Sequence, residues 1–88
     1  MRVEYSSPFK KKFDKAPAKI QRAFIERGKI FGRDLFNPIL NNHKLTGQYL
    51  GCRSINITGD WRAIFIEQSN YSLVSFETMG THNQLYGK

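Results

Sequence analysis

The chain has 88 residues, of which 40% are hydrophobic and 14% aromatic, so it can form one core and is too short for two. Its net charge of +7 favours a polyanionic partner, either nucleic acid or an acidic protein. No stretch reaches the ~20 apolar residues of a membrane span, and the charged N-terminus lacks the apolar run of a signal peptide. The single cysteine, Cys52, cannot form an internal disulfide. We therefore expect one cytoplasmic domain over residues 1–88.

The first part of the chain predicts one strand followed by two helices. Residues 2–5 alternate as a short strand, and Ser7-Pro8 is typical of a helix start, with Ser7 as N-cap and Pro8 at the first helical position. Ala16-Pro17 ends this helix and opens a second one, which Asn37-Pro38 ends. Large apolar residues at helical spacing predict the face of the second helix that is buried. They are Ile20, Phe24, Phe31 and Leu35.

The remainder of the chain predicts a polar loop over residues 39–47 and then three strands. The strands are predicted at about residues 49–57, 61–67 and 71–79. Turns at residues 58–60 and at Ser69-Asn70 make consecutive strands antiparallel neighbours. Gly80 closes the last strand, and Thr81 caps a short terminal helix. We predict an α+β fold of order β-α-α-β-β-β, with both helices on one face of an antiparallel sheet and the other face free for function.

Polar residues in the second half of the chain could assemble an acid–base site. The chain has two histidines, His43 in the polar loop and His82 near the C-terminus, and histidine acts as acid and base near neutrality. Asp60 follows a turn, and Tyr86 shares a face with His82 if that segment is helical. Two surface histidines without any role are compatible with the same pattern. The sequence lacks zinc-ligand spacing, a phosphate-binding glycine loop and a nucleophile elbow, so we expect no metal, no small-molecule cofactor and no covalent intermediate.

Cleavage of RNA requires only residues of these types. The ribose 2′-OH is itself the nucleophile, so the protein has to position it, transfer protons and neutralise charge on the phosphate. Arg62 is a candidate phosphate clamp because its guanidinium is planar and always charged. The alternative for Arg62 is an ion pair with Glu67 or Asp60.

The predicted RNA-binding residues are cationic or aromatic and come from both halves of the chain. Residues 1–40 hold ten Lys and Arg against four Asp and Glu, so most of the excess charge lies on the predicted helices. These charges would contact phosphates, although a helical face that is merely solvated is also possible. Trp61 could stack on a base or be buried in the core. The predicted set is Lys10, Lys11, Lys12, Arg22, Lys44, Arg53 and Trp61.

Three segments resemble the RelE/ParE superfamily of bacterial toxins, in particular its YafQ-like branch. They are residues 43–53, the Gly-Asp-Trp-Arg turn at residues 59–62, and the ending Gly-Thr-His-x-x-Leu-Tyr at residues 80–86. The resemblance implies a fold like that of microbial ribonucleases and the toxin half of a toxin–antitoxin pair. It also implies that the protein enters the ribosomal A site and cuts messenger RNA by the 2′-OH route, with an acidic antitoxin as partner.

The resemblance also implies which residues act. The YafQ-like functional set corresponds to His43, Asp60, Trp61, His82 and Tyr86. Some members carry a further histidine four positions before the aspartate, where this chain has an asparagine, Asn56, while Arg62 follows the RelE-like pattern. We therefore predict a catalytic set of His43, Asp60, Arg62, His82 and Tyr86. Two alternatives stay open, a ParE-like toxin that inhibits DNA gyrase without cutting RNA, and a decayed toxin that retains only antitoxin binding.

Overall fold

The computed structural model describes residues 1–87. The strands are β1 (Arg2–Tyr5), β2 (His43–Lys44), β3 (Arg53–Asn56), β4 (Trp61–Gln68) and β5 (Leu73–Thr81). The helices are α1 (Ser7–Lys15), α2 (Ala18–Arg33) and α3 (His82–Tyr86), with short 3-10 turns at Pro38–Leu40 and Gly47–Tyr49. Within residues 1–87, no helix is long and apolar enough to cross a membrane.

The five strands form one sheet in the order β1-β5-β4-β3-β2. Strands β3 to β5 are antiparallel neighbours, as predicted. Strand β2 lies within the segment predicted to be a polar loop and pairs antiparallel with β3, so that prediction is wrong for His43–Lys44. Strand β1 pairs with β5 in parallel, from Arg2 opposite Leu73 to Tyr5 opposite Phe76. The sheet is therefore mixed, and the prediction of an antiparallel sheet is wrong for β1. Parallel pairing needs a long crossover connection, and the chain between β1 and β5 includes both long helices and three strands.

Helix α1 begins one residue earlier than predicted. The Ser6 hydroxyl accepts from the Phe9 amide at 3.1 Å, so Ser6 rather than Ser7 is the N-cap, and Pro8 lies in the first turn, where no amide donor is required. Helix α2 ends at Arg33, before the predicted stop at Asn37-Pro38. Leu35 therefore lies outside the helix, although it still packs against the core.

The main core lies between the two long helices and one face of the sheet. Aromatic rings dominate it, with Phe24 and Phe76 in edge-to-face contact at 5.3 Å between centroids, and Phe31 and Phe65 at 5.2 Å. All four rings are buried. The α+β fold with α1 and α2 on one sheet face is confirmed.

The opposite face of the sheet is partly covered rather than free. Buried Leu45, Ile64 and Leu85 form a second cluster there, against which Tyr49 and Tyr86 pack. Adjacent strand residues point to opposite faces, so Ile64 enters this cluster while Ala63 and Phe65 enter the main core.

The segment predicted as a strand over residues 49–57 is regular only at Arg53–Asn56. The segment before it contains a 3-10 turn and two glycines with positive φ, Gly47 at 66° and Gly51 at 93°. Because glycine readily adopts such angles, this segment can fold back over the second sheet face instead of extending along it. Tyr49 and Leu45 reach the second cluster through this fold-back.

Candidate active site

A cleft of about 360 Å³ opens on the sheet face away from α1 and α2. Four of the five predicted catalytic residues line it, although they come from β2, β4 and α3. The lining residues are Asn41, His43, Leu45, Arg62, His82 and Tyr86. Strand pairing explains part of this convergence. Ser54 of β3 is paired with His43 of β2 on one side and with Ile64 of β4 on the other.

The His43 imidazole is oriented by a main-chain carbonyl. Its Nδ1 lies 2.8 Å from the Asn41 oxygen. A carbonyl can only accept, so Nδ1 carries the proton and the neutral ring has its lone pair on Nε2. Asn41 has a left-handed backbone, with φ of 48°, at the end of the 3-10 turn Pro38–Leu40. His43 thus has one nitrogen fixed and the other available as a base.

His82 and Tyr86 lie on one face of α3, as predicted from their spacing. Their ring centroids are 4.7 Å apart, and the Tyr49 ring also contacts Tyr86, with centroids at 5.8 Å. His82 is exposed, whereas Tyr86 is half-buried. The tyrosine is therefore in contact with two rings, and the histidine is exposed to solvent at the cleft.

A capping box fixes the start of α3 and confirms the predicted cap. The Thr81 hydroxyl accepts from the Gln84 amide at 3.2 Å, and the Gln84 side chain accepts from the Thr81 amide at 2.9 Å. The His82 amide donates to the Asp60 carbonyl at 3.0 Å. Gly80 lies beneath this turn, where an added Cβ would come within 3.0 Å of the Gln84 side-chain oxygen. The helix therefore sits close against the sheet.

Replacing Thr81 by alanine should lower the free energy of unfolding by about 1 kcal/mol, because the Gln84 amide loses its acceptor. Urea unfolding of the two proteins measures this difference. Thr46→Ala is the matched control, since exposed Thr46 precedes a 3-10 turn without a side-chain cap bond. If Thr81→Ala and Thr46→Ala lowered the free energy of unfolding equally, the capping role of Thr81 would be contradicted.

Arg62 points into the cleft from β4 and is anchored at one nitrogen. Its Nη1 donates to the carbonyls of Thr58 and Gly59 at 3.1 Å and of Trp61 at 3.2 Å. Among residues 1–87, the only ion pairs are Arg2–Glu4 and Lys29–Glu26, so neither predicted acidic partner of Arg62 engages it. The rest of the guanidinium makes no hydrogen bond within the described chain and is available for an anion.

Asp60 and Trp61 do not line the cleft. Asp60 is exposed in the turn before β4, and only its carbonyl contributes to the site, through the His82 amide. Trp61 is half-buried and packs against the main core, because it precedes Arg62 on the strand and points to the opposite face. Of its two predicted roles, the tertiary structure favours packing.

The predicted RNA-binding residues do not form one surface with the cleft. Lys10, Lys11, Lys12 and Arg22 are exposed on α1 and α2, on the far side of the sheet. Lys44 and Arg53 are cross-strand partners at the β2 edge and line a separate hollow with Glu67.

Sequence reasoning missed Asn41, Leu45 and Tyr49. Leu45 lines the cleft, Tyr49 packs against Tyr86 and the second cluster, and Asn41 orients His43. The aromatic in the Gly-Gln-Tyr segment was the available signal, because a tyrosine in a loop usually packs against something. Asn56 lies opposite Arg62, and its side-chain oxygen is buried without a hydrogen-bond partner in the described residues.

Cys52 has the properties of a packing residue. Burial raises the pKa of its thiol, and the negative charge of Glu77 raises that pKa further. A thiol with a raised pKa stays protonated and is a poor nucleophile at neutral pH. In the part of the chain that the structure describes, no group of three or more His, Cys, Asp or Glu side chains is arranged to hold a metal ion.

The fold and the cleft define a class, a small α+β protein with two long helices behind a sheet and histidines, an arginine and a tyrosine in front of it. No family model matches the chain, and no curated protein matches it in sequence. The crystal structure of YafQ from E. coli strain BL21(DE3) is similar over 99% of this chain and 100% of that one, with a TM-score of 0.82 and 23% identity.

Chains from two toxin–antitoxin complexes are also similar in structure to this chain. A chain of the E. coli DinJ-YafQ complex matches with a TM-score of 0.73 and 24% identity, over 99% of this chain and 100% of that one. The RelBE2 toxin–antitoxin complex of Mycobacterium tuberculosis matches with a TM-score of 0.73 and 16% identity, over 92% and 96%. The resemblance to the RelE/ParE superfamily, close to YafQ, is confirmed at the level of the fold.

Proposed function

We propose that this protein is the toxin of a type II toxin–antitoxin system, acting as a ribosome-dependent endoribonuclease on messenger RNA in the A site. The observation that carries the proposal is the convergence of His43, Arg62, His82 and Tyr86 on one cleft. Two imidazoles and a phenol can transfer protons, and a guanidinium can neutralise charge on the phosphate, so this set can supply what RNA cleavage through the 2′-OH needs.

In this proposal each group has its own role. The free Nε2 of His43 accepts the proton of the 2′-OH, whose oxygen then attacks the adjacent phosphorus. His82 donates a proton to the departing 5′-oxygen, which leaves a 2′,3′-cyclic phosphate and a 5′-hydroxyl. The free nitrogens of Arg62 neutralise the charge that builds on the phosphate. Tyr86, in contact with Tyr49 and His82, supports the nucleotide.

The net charge and the structural neighbours support the proposed partners. A net charge of +7 suits ribosomal RNA and an acidic antitoxin segment that folds on binding. Two of the similar structures are toxin–antitoxin complexes, DinJ-YafQ and RelBE2. We propose that the whole chain, residues 1–88, works as one domain in the cytoplasm, and that the exposed cations of α1 and α2 contact ribosomal RNA away from the cleft.

A cell-free translation reaction tests this function. A defined messenger RNA is translated with and without the protein, and cut sites are mapped by primer extension. We expect codon-phased cuts that appear only during translation and are absent when the same RNA is incubated with the protein alone.

The alternatives give different results in the same set of measurements. Cuts on naked RNA would remove the ribosome dependence. Absence of cuts together with inhibition of DNA gyrase in a supercoiling assay would favour a ParE-like toxin, and absence of both activities would favour a decayed toxin.

A further inference from the structure

The segment that carries His43 is held by hydrogen bonds that the proposed chemistry does not use. The Asn42 side chain lies at their centre, where its Nδ2 donates to the Leu35 carbonyl at 3.0 Å and to the Tyr71 hydroxyl at 3.2 Å. Its Oδ1 accepts from the Arg53 Nε at 2.8 Å. A second guanidinium nitrogen of Arg53 reaches the Asn42 carbonyl at 3.5 Å. Every polar group of this half-buried amide is therefore engaged.

The partners of Asn42 are themselves fixed. The Arg53 guanidinium lies over the Phe36 ring, 5.6 Å from its centroid. The Tyr71 amide donates to the Glu67 carboxylate at 2.9 Å, and the Tyr71 ring packs against the main core. Asn42 thus ties the segment before β2 to the end of α2, to β3 and to the β4–β5 turn.

Asn42 lies between the two residues whose hydrogen bond orients the cleft imidazole. Asn41 supplies the carbonyl and His43 supplies Nδ1, and the 2.8 Å contact requires that the backbone at residues 41–43 keeps one conformation. Asn41 is in the left-handed region, which asparagine adopts more readily than most residues, and contacts of the neighbouring residues help to keep it there. Those of Asn42 are the nearest side-chain contacts that do so.

We propose that Asn42, held by Arg53 and Tyr71, is a positioning residue that fixes the orientation and tautomer of His43. Arg53 then acts through Asn42 and not, as its charge suggested, as a direct RNA ligand. In the free protein His43 is locked with its proton on Nδ1 and its lone pair on Nε2. The catalytic consequence depends on the proposed nuclease function, whereas the tautomer lock does not.

The tautomer is measured directly by nitrogen-15 NMR of the imidazole. Spectra are recorded at alkaline pH, because the tautomer is defined only for a neutral imidazole. We expect distinct protonated and unprotonated nitrogens for His43 in the wild type, and averaged shifts in Asn42→Ala. Gln68→Ala is the matched control, because Gln68 is an exposed amide without a side-chain hydrogen bond among the described residues. Unchanged His43 shifts in folded Asn42→Ala would overturn the proposal.

A second variant guards against misfolding of the first. Tyr71→Phe removes only the hydroxyl that accepts from Asn42, at a position whose ring remains in the core. We expect the same change of the His43 shifts in the same direction, but smaller. If Tyr71→Phe and Asn42→Ala are both folded and both keep the wild-type tautomer, Asn42 does not position His43.

Rates of messenger RNA cleavage test the consequence by a double-mutant cycle. Asn42→Ala should slow cleavage about ten- to a hundredfold, as expected for a displaced catalytic group. In a His43→Ala background it should change the rate less than about twofold, because the residue it positions is gone. If the cleavage rate of the double variant fell by the product of the two single-variant factors, Asn42 would act independently of His43, and the proposal would be overturned. A changed tautomer in a protein that cuts no RNA would support the positioning role while refuting the nuclease function.

Discussion

Replacing His82 by alanine should slow codon-phased cleavage of messenger RNA by about 10²- to 10⁴-fold, the range for loss of a general acid or base. His82 is exposed at the cleft, with its ring against Tyr86 and its amide on the Asp60 carbonyl, so the change removes a proton donor without disturbing a buried contact. The measurement is single-turnover cleavage on stalled ribosomes, followed by primer extension.

The control for His82→Ala is Asn83→Ala, which alters the next exposed residue of α3 but not the lining of the cleft. We expect this control to cleave at the wild-type rate and both variants to unfold at similar urea concentrations. Retention of full activity by His82→Ala would show that the proton is supplied by another group, and Tyr86 would be the next residue to replace.

Replacing Arg62 by alanine should slow the chemical step about 10²- to 10³-fold, as for removal of one donor that stabilises transition-state charge. Its guanidinium is preoriented, because Nη1 is held by the carbonyls of Thr58, Gly59 and Trp61. Arg62→Lys keeps the charge but loses the planar fork, so we expect it to recover only part of the rate. Rates at saturating protein separate this effect from weaker binding.

Arg33→Ala is the matched control for Arg62→Ala. It removes the same charge from an exposed position at the end of α2, on the far side of the sheet. We expect it to keep the wild-type rate at saturation and to bind ribosomes only slightly more weakly at low salt. If Arg62→Ala and Arg33→Ala slowed cleavage by the same factor, the effect would come from net charge rather than from a phosphate contact in the cleft.

The elements of the fold could be predicted wherever the signal is local. Ala16-Pro17 marks the boundary between α1 and α2, the predicted turn at Ser69-Asn70 lies between β4 and β5, and Thr81 caps α3. In each case the conformation depends on a residue and its immediate neighbours. Proline has a fixed φ, asparagine favours the left-handed region, and the threonine hydroxyl caps the helix. Boundaries set by packing were less predictable, as at the end of α2.

The candidate site was predictable in residue type but only partly in arrangement. Four of the five residues proposed for catalysis line the cleft. They could be proposed from the sequence because their side chains suit proton transfer and phosphate binding whatever the fold. Asp60 and Trp61 directly precede Arg62 in the sequence but lie outside the cleft. Asp60 is exposed in the turn, and the alternation of the strand points Trp61 to the main core. The role of Asn42 was not visible at all, since Leu35, Arg53 and Tyr71 are brought together only by folding.

The sequence by itself determined the α+β class, the boundary between α1 and α2, the cap of α3, the turns and the chemical types available for a reactive site. Only the tertiary structure decided that β1 lies parallel beside β5, that α3 and Leu45 cover part of the second face, and that His43 and His82 share one cleft. The physical reason is the range of the interactions involved. Caps and turns are set by atoms a few residues apart, whereas strand order and convergence of side chains are set by which apolar faces are buried together.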